Sequence, residues 1–159
     1  MSYKLSITAP QDRRKLASAT LYNDKGEKVH GPFDCLALAD STKARNEGNP
    51  SRNPLLPFGD TPTGVYKGNI IAPIGVEHSY GPGEAINLQP VSGDCKLCGD
   101  TRTGLLVHGG DLNTTQTYMA LWRGLRPTYG CVRFKNEDLK TVTDALKGQT
   151  FDVELSEQA

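Results

Sequence analysis

Short apolar runs broken by glycine and proline make up most of this chain, a pattern that predicts a mainly β protein with many turns. Residues 15–22 and 27–29 flank Asn23-Asp24-Lys25-Gly26, which reads as a β-hairpin closed by a glycine turn. Residues 33–38 form a further strand. Residues 41–60 are polar and rich in Asn, Arg, Gly and Pro, so a long surface loop is expected there, of the kind that shapes the entrance to a site. Strands follow at 64–74 and 85–88, then a second loop at 89–102 that carries Cys95 and Cys98. Residues 105–107 are Leu-Leu-Val, a buried strand that delivers His108 into the turn made by Gly109 and Gly110. Near the end, Asn136 is a good N-cap, Glu137 and Asp138 suit the positive start of a helix, and Leu139, Val142 and Leu146 fall on one face. Gly148 stops that helix, and Phe151, Val153 and Leu155 alternate with polar residues as in a half-buried last strand.

Composition adds bounds to this pattern. A chain of 159 residues suits one domain, 1–159, with its core at about 15–155. Eighteen basic and eighteen acidic residues cancel without any block of like charge, which argues against nucleic acid or an anionic membrane as partner. The first fifteen residues lack the apolar run of a secretory signal, and no segment approaches the roughly 18 apolar residues of a membrane span. A protein made in the cytosol without an export leader is therefore expected.

The candidate chemistry lies between Gly104 and Phe134. A free cysteine, with a pKa of about 8.5, is a few per cent thiolate at neutral pH, and a neighbouring imidazole can raise that fraction. Cys131 stands beside Gly130 in a turn-rich setting, and His108 closes a strand, so the two read as nucleophile and base. Gly130 allows the amides of Tyr129, Gly130 and Cys131 to converge on one oxygen, which would make an oxyanion hole. In an extended segment Arg133 leaves on the same face as Cys131 and can hold a carboxylate, or else form a structural ion pair. Thr128, Tyr129 and Trp122 either line the site or cover core. Cys35, in an apolar strand, is read as structural, and His30 and His78 as surface residues. For Cys95 and Cys98 the order of expectation is a disulfide, then free thiols, then a metal, because no second such pair completes a zinc site.

His108-Gly109-Gly110 followed by Thr128-Tyr129-Gly130-Cys131-Val132-Arg133 resembles the signature of the L,D-transpeptidase family, the YkuD-type catalytic domain. Thr61-Pro62-Thr63-Gly64-Val65-Tyr66 and Tyr80-Gly81-Pro82 match further segments, so the resemblance covers residues 15–155. Many members have Ser-His-Gly-Cys where this chain has Thr128-Tyr129-Gly130-Cys131, a difference that bears on substrate preference. The resemblance implies a β-sandwich or barrel with long loops and a short C-terminal helix, no cofactor and no metal. It implies that Cys131 is the nucleophile, His108 the base, and the Gly109 carbonyl or a neighbour the group that fixes the ring, with Tyr80 among the substrate-binding residues. The implied substrate is the peptidoglycan stem tetrapeptide, attacked with release of D-alanine and formation of a thioester. An amine, a D-amino acid or water would then complete transpeptidation, exchange or L,D-carboxypeptidase action. A wall enzyme without a leader needs another exporter. This suggests a type VI secretion effector acting in a target cell's periplasm, with an immunity protein and a secretion carrier as partners. The alternatives are a housekeeping enzyme that forms 3-3 cross-links, its leader absent from this chain, and a catalytically idle peptidoglycan-binding module.

Overall fold

The structure, a computed structural model, describes residues 2–158. Among these residues the elements run β1 (Tyr3–Pro10), β2 (Ala17–Tyr22), β3 (Lys28–Leu36), α1 (Ser41–Asn46), β4 (Gly64–Ile71), α2 (Glu77–Tyr80) and β5 (Ala85–Ser92). They continue with α3 (Asp94–Leu97), β6 (Leu106–His108), α4 (Gln116–Trp122), β7 (Val132–Phe134), α5 (Asn136–Leu146) and β8 (Phe151–Gln158). The strands close a barrel in the order β1-β2-β3-β7-β6-β5-β4-β8. Two neighbouring pairs are parallel, β1 with β8 and β6 with β7, and the other pairs are antiparallel.

Closure removes the exposed edges a β-sheet would otherwise present to other chains. Inside, alternate residues of each strand meet: Leu5 and Ile7, Leu21, Tyr66, Ile86, Val107, Val132 and Val153 are all buried. Leu139, Val142 and Leu146 on α5 join the same core, as the one-faced spacing of the helix requires. A smaller cluster of Leu36, Leu38 and Leu125 forms beside it, with Leu16 and Trp122 packed on its margin.

The fold is mainly β, and the expected last strand and last helix are present. Several local expectations are corrected. The barrel begins at β1, well before residue 15: Leu5, Ile7 and Ala9 alternate inward, and β1 pairs in parallel with β8 along its full length. Residues 27–29 and 33–38 belong largely to one strand, β3. The expected loop at 41–60 contains α1, started by the Asp40 side chain, which accepts from the Lys43 amide at 2.9 Å. β4 stops at Ile71, β5 runs on to Ser92, and α3 occupies part of the second loop. Asn136 is the first residue of α5 and Lys135 its cap, because the Asn136 side chain is used elsewhere. Cys95 and Cys98 are free thiols, not a disulfide. Their sulfurs turn to different carbonyls, Ser92 at 3.2 Å for Cys95 and Asp94 at 3.1 Å for Cys98. Cys35 lies fully buried in the core, where burial pushes its thiol pKa up.

The place of β1 in the barrel has a measurable consequence. Ile7→Ala should cost about 2–5 kcal/mol of folding stability through lost burial and an unfilled cavity. Denaturant unfolding of the two proteins measures this. A change below about 0.5 kcal/mol, the range of surface substitutions, would place the strand outside the cooperative core.

Candidate active site

The site is built where β6 and β7 run side by side. In their parallel register Val107 lies opposite Val132 and His108 opposite Arg133. The two valines enter the core, so the alternate residues emerge on the other face. Cys131, two residues before Arg133, lies on that face with His108 and Arg133. All three line one cleft of about 290 Å³, together with Tyr80, Thr128 and Tyr129. The loop that carries Cys131 is pinned to the chain beyond β3 by Thr128, whose amide donates to the Leu38 carbonyl at 3.2 Å and whose carbonyl accepts from the Asp40 amide at 2.7 Å.

His108 is 2% exposed, and its Nδ1 donates to the Gly109 carbonyl at 2.7 Å. A carbonyl only accepts, so the proton sits on Nδ1 and Nε2 carries the lone pair. The Tyr80 ring packs on the imidazole at 4.8 Å. Burial pushes the His108 pKa down to about 4; the Gly109 hydrogen bond opposes this shift, and the charges of Arg133 and Arg126 add to it. The Cys131 thiol is pushed the other way, upward, again chiefly by burial. The Leu106 amide and the positive charges of Arg102 and Arg133 resist that rise. The sulfur turns toward the Gly104 carbonyl at 3.8 Å. Among the described residues no hydrogen bond joins it to the imidazole. Burial thus favours the neutral form of both the Cys131 thiol and the His108 imidazole in the resting site.

The expected oxyanion hole changes in one member. The Gly130 amide donates to Thr128 Oγ1 at 3.1 Å, and that hydroxyl donates to the Cys131 carbonyl at 2.8 Å. Gly130 itself is fixed: Thr61 Oγ1 donates to its carbonyl at 2.7 Å, its φ is +119°, and an added Cβ would collide with the Arg102 guanidinium.

Arg133 is 4% exposed and gives Nε to the Gly109 carbonyl at 3.2 Å, Nη1 to that of Arg126 at 3.1 Å and Nη2 to that of Ser79 at 2.8 Å. Burial lowers its pKa to about 10, which leaves it charged at neutral pH. It ties the cleft together and still lines it. Trp122 does not line the cleft. It packs beside the Leu36, Leu38 and Leu125 cluster and donates its indole N–H to the Arg14 carbonyl at 2.6 Å. Tyr129 is an exposed rim residue at 63%. His78 is exposed, 3.3 Å from Asp111, as expected of a surface histidine. Among the described residues no three His, Cys, Asp or Glu side chains converge on a metal-sized site.

Three residues that the motifs do not reveal also build the site. Asn136 Oδ1 accepts from the Gly110 amide at 2.9 Å and holds the turn whose carbonyl orients His108. Arg102, 5% exposed, donates to the carbonyls of Pro54 at 2.6 Å, Gly59 at 3.0 Å and Asp60 at 3.0 Å, and packs against Gly130. Arg126 lines the cleft and donates to the carbonyls of Asp111 and His78. A capping-type residue at Asn136 was legible as a signal, though for a different partner. The arginines act on carbonyls remote in sequence and leave no local pattern.

The buried neutral histidine makes stability depend on pH. Between its ordinary pKa of 6.5 and about 4, the unfolded chain binds a proton that folded His108 refuses. Stability therefore falls as pH drops through that window, by up to about 3 kcal/mol. His108→Gln should flatten this segment of the stability curve, as measured by urea unfolding at several pH values. An unchanged slope would show that His108 titrates normally.

Residues 38–154 match the family described as the L,D-transpeptidase catalytic domain, YkuD. No curated protein sequence matches the chain. Among solved structures, the helical cell shape determining protein Pgp2 from Campylobacter jejuni is similar at a TM-score of 0.55 and 17% identity, over 99% of this chain and 48% of that one. Bd1075 from Bdellovibrio bacteriovorus is similar at 0.55 and 17%, over 97% of this chain and 47% of that one. L,D-transpeptidase 1 from Mycobacterium tuberculosis gives 0.42 and 16%, over 95% and 60%. The chain thus spans about half the length of the first two. At these identities the structural likeness concerns the fold, whereas the sequence match runs from just after β3 into β8 and takes in the whole cleft: the protein belongs to the L,D-transpeptidase catalytic-domain (YkuD) family.

Proposed function

We propose that the protein is a cysteine-dependent L,D-transpeptidase or L,D-carboxypeptidase that acts on tetrapeptide stems of peptidoglycan. The observation that carries this reading is the shared face of Cys131 and His108, with the imidazole held by the Gly109 carbonyl so that Nε2 is the basic nitrogen. As substrate fills the cleft, the Cys131 proton passes to His108 Nε2 and the sulfur attacks the carbonyl carbon of the third stem residue. The oxyanion is met by the amides of Tyr129 and Cys131. The bond to D-alanine breaks, the imidazolium returns its proton to the departing amine, and a thioester on Cys131 remains. An amine or water then attacks the thioester, with His108 taking the proton of the attacking group; the bond from the acyl carbon to sulfur breaks, and the proton passes from His108 to the Cys131 sulfur to restore the thiol. The positive charges of Arg133 and Arg126 at the cleft suit a substrate carboxylate.

The chemistry is the same whether the domain serves its own cell's wall or, as an exported effector, that of another cell. The C. jejuni relative bears the description of a cell-shape determinant, which fits a role in wall remodelling. Among the described residues no helix is long and apolar enough to cross a membrane.

Incubation with tetrapeptide stems followed by intact-mass measurement should reveal an acyl adduct on the wild type together with free D-alanine. Cys131→Ala should form no adduct. His108→Ala should lose about 100-fold or more in acylation rate, the usual worth of a positioned base. An adduct that persists in Cys131→Ala, or wild-type rates in His108→Ala, would overturn the assignment. Stem binding without any adduct would favour the idle binding module.

A further inference from the structure

Beside the cleft, the segment at 49–60 is held in a shape its sequence does not favour. Phe58 has φ +64° and Arg52 φ +55°, the left-handed region where a Cβ meets its own backbone and where bulky residues rarely sit. Two buried side chains impose this shape. Asn49, 2% exposed, donates Nδ2 to the carbonyls of Asn53 and Pro57 and accepts from the Asn53 amide. Arg102 donates to the carbonyls of Pro54, Gly59 and Asp60. Strain kept in place by surrounding bonds marks a position where the side chain's direction matters.

The direction imposed here brings the Phe58 ring edge-on to Tyr129, centroids 6.2 Å apart. Lys43 Nζ stands 5.1 Å from the Phe58 ring and 5.5 Å from that of Tyr129, which fixes the pair by cation–π attraction. The ammonium is itself paired with Glu47 at 2.9 Å, and Arg52 is paired with Asp60 at 3.3 Å, so the surface presents little uncompensated charge. Leu55 and Leu56, on the same turn, are 41% and 44% exposed. The result is an aromatic and aliphatic rim that continues into the cleft through Tyr129, two residues from Cys131.

We propose that Phe58 and Tyr129 form a stacking platform for the glycan chain from which the stem peptides hang. This rests on the reading of the cleft as a stem-peptide site. Three features select that occupant. The surface is near neutral, which suits an uncharged polymer better than an anionic one. The exposed ring of Tyr129 and the half-buried ring of Phe58 beside it suit the C–H faces of pyranose rings, with the Tyr129 hydroxyl and Lys43 as polar partners for sugar hydroxyls. The surface is also continuous with the cleft, and a stem seated there brings its glycan chain to the rim.

The test uses the full chain in two measurements. In the first, Cys131→Ala protein is titrated with oligomers of β-1,4-linked N-acetylglucosamine, uncharged glycan chains that carry no stems. Binding should be seen, should weaken about tenfold in Cys131→Ala/Phe58→Gly, as expected for loss of one stacked ring, and should be retained in Cys131→Ala/Phe58→Trp. Glycine accepts the left-handed backbone freely, so this variant removes the ring without straining the loop. In the second, the ratio of acylation rates on glycan-linked and free tetrapeptide stems is compared between wild type and Phe58→Gly, and this ratio should fall by a similar factor. Absence of glycan binding, or an unchanged ratio, with acylation of free stems intact would overturn the platform and leave the catalytic reading standing. Glycan binding that depends on Phe58 in a protein that never forms an adduct would uphold the platform and overturn the catalytic reading.

Discussion

One carbonyl oxygen joins the two strands that carry the chemistry. The Gly109 carbonyl accepts from His108 Nδ1 and from Arg133 Nε, so β6 and β7 are cross-linked by their side chains at the point where their pairing ends. Its peptide is held in turn, because the next amide, that of Gly110, donates to Asn136 at the start of α5. Gly109 has to be glycine for this to work, since a Cβ there would run into the Asn136 carboxamide. The histidine's tautomer, the direction of its free nitrogen and the seating of the last helix on the barrel are thus set by one small network. Its members come from three elements that are separated in sequence and joined by the barrel.

The opposite wall of the cleft follows similar rules with different residues. Arg102 reaches across to carbonyls of the segment at 54–60 and fills the space beside Gly130, while Thr61 and Thr128 take up the polar groups of the Gly130 peptide. A buried guanidinium is tolerated there because its N–H groups find carbonyls, and its charge lies close enough to Cys131 to oppose the rise in that thiol's pKa. The loop at 54–60 and the Gly130 turn that carries Cys131 are therefore held together. The carbonyls of Pro54, Gly59 and Asp60 are joined to the Gly130 turn through the Arg102 side chain.

What the sequence allowed to be read, and what it hid, divides by range. Phe151, Val153 and Leu155 alternate plainly, and Leu139, Val142 and Leu146 keep helical spacing, so the last strand and helix were legible. Leu5, Ile7 and Ala9 show the same alternation, but their parallel partner is β8 at the far end of the chain, and no turn signal announces such pairing. Cys131 and His108 stood out because glycines flank reactive side chains. The roles of Arg102, Asn136 and Arg126 were hidden because they act on backbone groups 15 to 48 residues away. The aromatic at Trp122 misled because α4 ends at the left-handed residue Arg123 and the indole rests beside the second core, away from the cleft.

The electrostatics of the cleft favour one half of the proposed reaction. Arg102 and Arg133 ease formation of a thiolate on Cys131, while Arg133 and Arg126 discourage a proton on His108. A histidine whose pKa lies near 4 is a weak base, so it draws the thiol proton poorly until substrate and its developing oxyanion share the cleft. In the proposed reaction the imidazolium, once formed, hands its proton to the departing amine. Amine expulsion is the demanding step in breaking an amide, because an unprotonated amide nitrogen is a poor leaving group. In that reaction, burial weakens His108 as a base at rest, and the arginines near Cys131 offset part of that loss by favouring the sulfur anion.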